Sequence, residues 1–386
     1  MWGTLLVILS GITLLAVACE TMGTTSKGSR LKKLEASSQY TNGQFVNKLE
    51  RAPYSYGKIL GDMLNSSSEH RNPREGRLAV EKRRKSDFAA PESGLRVTWF
   101  GHSTFLVELD DKRLLIDPVW GERVSPFTFA GPKRYVPPVL PLDELPEIDA
   151  VLISHDHYDH LDHPTIVALA KKGVRFVVPL GVGAHLSYWK IPAEQIVELD
   201  WWDSHKVGDV ELTATPARHF SGRGLTDRDA TLWSGWSMRG PEHRVFYSGD
   251  TAMHDGFVDI GKRLGPFDMT LMESGAYNQS WADVHMGPEQ AMRAHQLVGG
   301  KVFVAAHWGL FDLSLHSWVE PIERVLAAAE KAQVTVVTPR IGGQVELGKL
   351  QKPERWWPAD VPWRSVEKAP VRSSNVDHLM GDNVVF

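Results

Sequence analysis

One cysteine in 386 residues, Cys19, rules out an intramolecular disulfide and leaves no thiolate for a site elsewhere in the chain. No Gly-x-Ser-x-Gly elbow occurs, so the sequence offers no sign of a serine nucleophile of that kind. Basic charge is short where most of the chain lies. Residues 20–90 carry 14 Lys and Arg against 8 Asp and Glu, which leaves 29 against 39 for the remainder. An acidic body argues against nucleic acid as partner, because that binding rests on neutralising phosphates with Lys and Arg. No repeat of 20–50 residues and no long low-complexity tract appears, so solenoids and propellers drop out. Hydrophobic content of 42% and charged content of 23% are ordinary for a globular chain able to bury a large core.

The longest apolar stretch, Leu5 to Ala18, is too short to span a bilayer comfortably and suits the core of a signal peptide. It ends in Ala16-Val17-Ala18-Cys19. A small residue before a solitary cysteine resembles the lipobox of bacterial lipoproteins, which implies cleavage ahead of Cys19 and lipidation of its thiol. No Lys or Arg precedes the run, and Ala16 stands where leucine is usual. An ordinary signal-peptidase site and an uncleaved anchor are the alternatives. Each implies export, and the lipoprotein reading places the chain on a membrane in the cell envelope. The chain then divides into residues 1–18 as signal or anchor, 19–93 as a basic tether and packing arm, 94–350 as the body, and 351–386 as a tail expected to wrap the surface without regular structure.

From Gly94 the pattern is that of an α/β fold. Leu95–Phe100 alternates like a half-buried strand, and 104–109 with 112–116 reads as a hairpin closed at Asp110-Asp111. Strands are expected at 151–153, 175–178, 196–199, 210–214, 231–238, 244–247, 269–272, 301–305 and 334–337. Helices are expected at 164–172, 183–189, 288–297 and 318–332. Two halves, each opening with strands and closing in strand–helix alternation, imply two mixed sheets packed face to face with helices outside.

Chemistry concentrates in His155-Asp156-His157-Tyr158-Asp159-His160, just after the apolar strand Val151-Leu152-Ile153. Imidazole nitrogen and carboxylate oxygen are the usual ligands of a hydrolytic transition-metal site. Later strands repeat the design: 210–214 leads to His219, 244–247 to Asp250, and 301–306 to His307. Ligands at the carboxyl ends of separate strands converge on one sheet edge. Five histidines (155, 157, 160, 219, 307) and two aspartates (159, 250) give seven donors, which suits two metals sharing one carboxylate.

These stretches, with Trp99–Thr104, Asp117-Pro118, Gly131–Arg134, Asp283–Glu289 and Ala306–Gly309, resemble the metallo-β-lactamase-fold hydrolases. Within them the similarity is to N-acylphosphatidylethanolamine-hydrolysing phospholipase D and its bacterial relatives, over residues 94 to about 347. The resemblance implies the αβ/βα sandwich of that fold and two zinc ions, with iron and manganese compatible. It places His155, His157 and His219 on one metal, Asp159, His160 and His307 on the other, and Asp250 between them. It makes His285 an active-site histidine that contacts substrate or steadies the leaving group, and Asp117 a support for the ligands. The expected reaction uses a metal-bridging hydroxide, available because coordination lowers the pKa of water from about 15.7 towards about 7. Asp159 or Asp250 would orient that nucleophile. The expected substrate is a membrane phospholipid of the N-acylphosphatidylethanolamine kind. The alternatives are lactonase or esterase action on a small soluble substrate, and a surface binding module whose metals are structural.

Overall fold

The computed structural model describes residues 20–53, 55–65, 70–74, 76 and 78–381, so the apolar run Leu5–Ala18 and Cys19 lie outside the described residues. Two seven-stranded mixed sheets form the body. The first holds β3 (Leu95–Trp99), β4 (Phe105–Leu109), β5 (Lys112–Ile116), β6 (Ala150–Leu152), β7 (Arg175–Pro179), β8 (Ile196–Leu199) and β16 (Gln344–Glu346), in the order β16-β3-β4-β5-β6-β7-β8. The second holds β9 (Ser204–Val207), β10 (Val210–Thr215), β11 (Gly235–Arg239), β12 (Arg244–Tyr247), β13 (Phe267–Glu273), β14 (Gly300–Ala306) and β15 (Thr335–Val337), in the order β15-β14-β13-β12-β11-β10-β9. Each sheet has an antiparallel meander at one side and parallel strands at the other. The expected architecture of two face-to-face mixed sheets is the one observed.

Apolar side chains of both sheets form one continuous buried core. The sheets are also tied across it by polar atoms. Trp236 Nε1 on β11 donates to the Ile153 carbonyl after β6 (3.0 Å), and the Tyr247 hydroxyl on β12 donates to Asp117 after β5 (2.7 Å). A buried indole N–H or phenol needs such a partner, and here the partners span the sandwich. Helices α3 (His163–Ala170), α4 (Val182–Tyr188), α5 (Gly256–Leu264), α6 (Pro288–Leu297) and α7 (Glu320–Ala332) complete the body. Of these, α4 packs on β7 and β8, and α6 on β13 and β14. Pro288 and Pro321 sit in the first turns of α6 and α7, where the missing N–H costs no hydrogen bond.

Three expectations change. The stretch Leu95–Trp99, read as half-buried, is buried on both faces. Arg96 and Arg113 share buried Glu108 (2.6 and 3.3 Å) and donate to the Ala89 and Phe88 carbonyls, so the arm covers what would have been a solvated face. The strand expected over 231–238 is shifted, because Ser234 N–H bonds to the Ser154 carbonyl (2.9 Å) before β11 begins. The tail runs over the surface without regular structure up to residue 376, as expected, but it sends indoles into the core. Trp356 and Trp357 are buried, with Nε1 of one on the Thr338 carbonyl (3.1 Å) and of the other on Glu323 (2.6 Å). Indoles are too large and apolar to leave outside when a partner for the N–H is at hand. The last element among the described residues is the short helix α8 (Asp377–Met380).

The arm is also structured. It holds α1 (Ser29–Glu35), the hairpin β1 (Tyr40–Thr41) with β2 (Gln44–Phe45), and α2 (Tyr56–Asn65). Leu34 and Phe45 are buried in a satellite cluster with Trp201, Leu232 and Trp233. A parallel bridge from Val80 to Ile341 ties its end to the body.

Candidate metal centre

Every expected ligand sits just past the carboxyl end of a strand. His155, His157, Asp159 and His160 follow β6, His219 follows β10, Asp250 follows β12 and His307 follows β14. The structure brings all seven together at one rim of the sandwich. Nitrogens of His155, His157 and His219 form one group; Asp159, His160 and His307 form a second, to which His102 is added. Asp250 lies between them. A single oxygen, Oδ2, is 3.1 Å from His160 Nε2, 2.8 Å from His307 Nε2, 3.8 Å from His155 Nε2 and 3.9 Å from His219 Nε2.

The chemistry of the donors fits a metal. Burial, with help from His160 and His157, pushes the His155 imidazole well below its ordinary pKa, and burial does the same at His219. Neutral imidazoles carry the lone pair that ligation needs. Burial works against ionising Asp250, but His160 and His307 outweigh it and hold the carboxyl well below the usual range. Despite those short separations, His160 Nε2, His307 Nε2 and Asp250 Oδ1 are buried with no hydrogen-bond partner. A buried polar atom left unpaired costs about 1–3 kcal/mol, and several converging on one point are explained by a cation that they share.

Backbone strain marks the same rim. His102 (φ 53°), Asp117 (φ 40°) and His307 (φ 62°) occupy the left-handed region, each at a cost of about 1–3 kcal/mol. The first and last offset it together: His102 N–H donates to the Trp308 carbonyl (3.1 Å) and His307 N–H to the His102 carbonyl (3.0 Å). Gly249 (φ 61°) precedes Asp250 where a Cβ would meet the Ser234 carbonyl oxygen at 2.5 Å, so only glycine lets the chain turn there.

A fully buried hydrogen-bond set stands behind the ligands. Asp117 accepts from Ser154 N–H (2.7 Å), Ser154 Oγ (2.6 Å) and Tyr247 (2.7 Å), and bonds His160 Nδ1 (2.8 Å). His219 Nδ1 bonds the Val284 carbonyl (3.0 Å). Such contacts fix which ring nitrogen faces the metal. Asp117→Asn, which cannot accept from all these donors, is expected to weaken metal affinity by about 10–100-fold with the fold retained. Competition against a chromogenic chelator reads that change, and unchanged affinity would remove the supporting role.

Asp156 belongs to the six-residue cluster yet faces away from the metal group. It accepts from Thr231 Oγ1 (2.9 Å) and Gly222 N–H (2.8 Å) and pairs with His185 (3.2 Å), fastening the loop from beneath. His285 is at the site, its ring 5.1 Å from those of His219 and His307. It pairs with the buried carboxyl of Glu273, which ends β13. Burial and Asp250 push Glu273 well above the usual carboxylate range, while burial lowers His285 to about 3. Both shifts favour the neutral form of the pair, in which Glu273 Oε1 and His285 Nδ1 share one proton. Sequence reasoning gave Glu273 and His102 no role. His102 Nε2 bonds Asp159 Oδ2 at 2.9 Å, and burial keeps its imidazole neutral, with the pKa lowered to about 4. Both residues end or follow a strand at the same rim, which was the available signal.

Two sheets, one metal-suited rim and a matching sequence define the class. Residues 112–308 match the family described as "Beta-lactamase superfamily domain", and the chain belongs to it. It is a metal-dependent hydrolase of that fold. Among its relatives, an uncharacterised protein of Mycobacterium tuberculosis is 45% identical over 84% of this chain and 88% of its own length. "N-acyl-phosphatidylethanolamine-hydrolyzing phospholipase D 1" of Caenorhabditis elegans is 37% identical over 64% of this chain and 73% of its own. Of solved structures, a metallo hydrolase from Ignicoccus hospitalis shares the fold at 22% identity, with TM-score 0.51 over 65% of this chain and 97% of its own. A diiron β-hydroxylase from Streptomyces venezuelae shares it at 17% identity, with TM-score 0.51 over 66% of this chain and 54% of its own.

Proposed function

We propose that this protein is a binuclear, zinc-dependent phosphodiesterase of phospholipase D type, acting on N-acylphosphatidylethanolamine-like phospholipids. The observation that carries the metal chemistry is the convergence of the unpaired, buried His160 Nε2 and His307 Nε2 on the Asp250 carboxylate. The substrate class is supported by the identity to the Caenorhabditis elegans phospholipase.

A metal pair bound there would supply a water of lowered pKa and Lewis-acid stabilisation of the developing negative charge. The chain's own residues do the rest. His155, His157 and His219 would hold one cation, His160, His307 and Asp159 the other, with Asp250 touching both. His102, donating Nε2–H to Asp159, keeps that carboxylate turned into the site, where it orients the attacking water. His285 is part-exposed at the site and, with Nδ1 engaged by Glu273, presents its Nε2 proton to a phosphoryl oxygen or to the leaving group. Neutrality of this histidine matters, because a donor with no net charge stabilises the substrate without repelling the cations.

Incubation with N-acylphosphatidylethanolamine vesicles is expected to release phosphatidic acid and N-acylethanolamine. Failure on vesicles together with turnover of a lactone or small ester would assign the site to soluble substrates instead. Export and lipid anchoring at Cys19 rest on the run Leu5–Ala18 and its Ala-Val-Ala-Cys end. Mass measurement of the amino terminus of membrane-fraction protein is expected to find a chain that starts at diacylated Cys19.

A further inference from the structure

Where the amino-terminal segment joins the body is informative. Directly after the anchor point Cys19, the first described residue is Glu20, whose carbonyl accepts from Trp189 Nε1 (2.7 Å). The next residue, Thr21, bridges two loops. Its hydroxyl donates to the Pro126 carbonyl (3.2 Å), and its own carbonyl accepts from Arg223 Nε (3.1 Å) and Nη2 (2.7 Å).

Both loops carry bare apolar tips. One presents Phe129, 61% exposed, with Phe127 beside it at 5.5 Å between ring centroids. The other presents Leu225, whose side chain is wholly in solvent. Asp227 turns inward at that tip, accepting from the N–H groups of Arg223 (3.0 Å) and Gly224 (2.8 Å), so the apex is left to leucine. Isolated exposed apolar residues need no explanation, but two apolar loop tips joined through Thr21, two residues past the anchor point Cys19, are a different matter.

These loops follow β5 and β10, so they rise from the same rim as the metal ligands. Arg223 also reaches the metal loop itself. Its Nη1 donates to the carbonyls of Asp156 (2.6 Å) and Leu161 (2.9 Å), clamping the ligand loop at both ends, and its guanidinium lies 4.1 Å over the Tyr158 ring.

We propose that Phe129 and Leu225, flanking the tether's point of departure, form a docking face that seats the metal rim on a phospholipid bilayer. An anchor at one point of the chain tethers a body without orienting it, and a second contact with the bilayer fixes which face is presented. Among the described residues no helix is long and apolar enough to cross a membrane, so the loops act at the interface rather than through it. Arg223 then links Thr21, the Leu225 loop and the ligand loop. The inference goes beyond the choice of substrate, because it concerns how the body sits and holds whichever bond is cleaved.

The test reads position and not turnover. In protein anchored through Cys19, whose thiol the lipid occupies, Phe129→Cys, Leu225→Cys and Leu350→Cys are each labelled with an environment-sensitive fluorophore and reconstituted into phosphatidylcholine vesicles. Leu350 is the control: it follows β16, whose Glu346 pairs with Arg96 at the end of β3 away from the metals. Labels at 129 and 225 are expected to shift to shorter wavelength and to lose emission when acyl-brominated lipid is included, with the label at 350 unchanged. Labels at 129 and 225 that report water, as the control does, in vesicle-bound protein would overturn the docking face. That result would leave the phospholipase reading standing, since vesicle hydrolysis tests it separately.

Discussion

Asp250→Asn is expected to lower turnover by at least about 10²–10³-fold, the scale on which one well-placed polar group contributes to a preorganised site. The size follows from position. One oxygen of Asp250 lies among nitrogens of both histidine groups, 2.8 to 3.9 Å from four of them. Asparagine keeps the shape and removes the charge, so the loss is not one of packing. Two cations held side by side by seven donors would need their shared anion most, because it would screen one from the other. Asp159→Asn provides the contrast. Asp159 contacts His102, His160 and His307 but lies in one group only. Its replacement is expected to lower metal content at one position, and that of Asp250 at both. Turnover measured beside metal equivalents per chain separates the two, and near-normal activity of Asp250→Asn would remove Asp250 from the centre.

Trp356→Ala is expected to destabilise the fold by about 3–5 kcal/mol, the usual cost of truncating a buried aromatic. For a chain of 386 residues, with about 2.1 cal/mol/K of unfolding entropy per residue, that is a shift of roughly 4–6 °C in the unfolding midpoint. Trp356 lies in the tail, yet its ring is within 6.5 Å of those of Trp99, Trp308, Trp318 and Trp357. Trp308 stacks on Trp99 at 5.2 Å and directly follows His307. A cavity beside Trp308 therefore loosens a strained ligand position, and metal affinity should fall along with stability. Chelation by itself should also lower the midpoint. A ligand at 1,000 times its dissociation constant adds about 4 kcal/mol, so removing it withdraws that much. Thermal unfolding of wild type and variant, each with and without chelator, distinguishes packing from metal loss. An unchanged midpoint in Trp356→Ala would show that the tail is not part of the core.

What the sequence disclosed and what it hid follow from physics. Strands such as β5 and β12, and the amphipathic helices α6 and α7, carry their periodicity in the side chains, so their places are legible. The ligands were legible because each follows an apolar strand, and a strand end is where a rigid scaffold can aim a side chain. Other elements carry weak signals. The edge strand β9 reads Ser-His-Lys-Val, mostly polar because an edge faces solvent. Helix α5 begins at one glycine and contains another, which lowers its helical signal, although Gly261 allows the close approach of the Leu297 carbonyl. His102 and Glu273 escaped assignment because their roles exist only through partners far along the chain, Asp159 and His285. The tail's tryptophans point either way in sequence. Only the site waiting for them, between Thr338, Glu323 and Trp308, decides that they are buried.

The central claim is that two cations share this rim. Elemental analysis of purified protein, produced and dialysed with saturating zinc, iron or manganese in turn, tests it most directly. The account predicts two tightly held equivalents per chain in wild type, falling in Asp250→Asn. A single equivalent, or none, in correctly folded wild-type protein would contradict it.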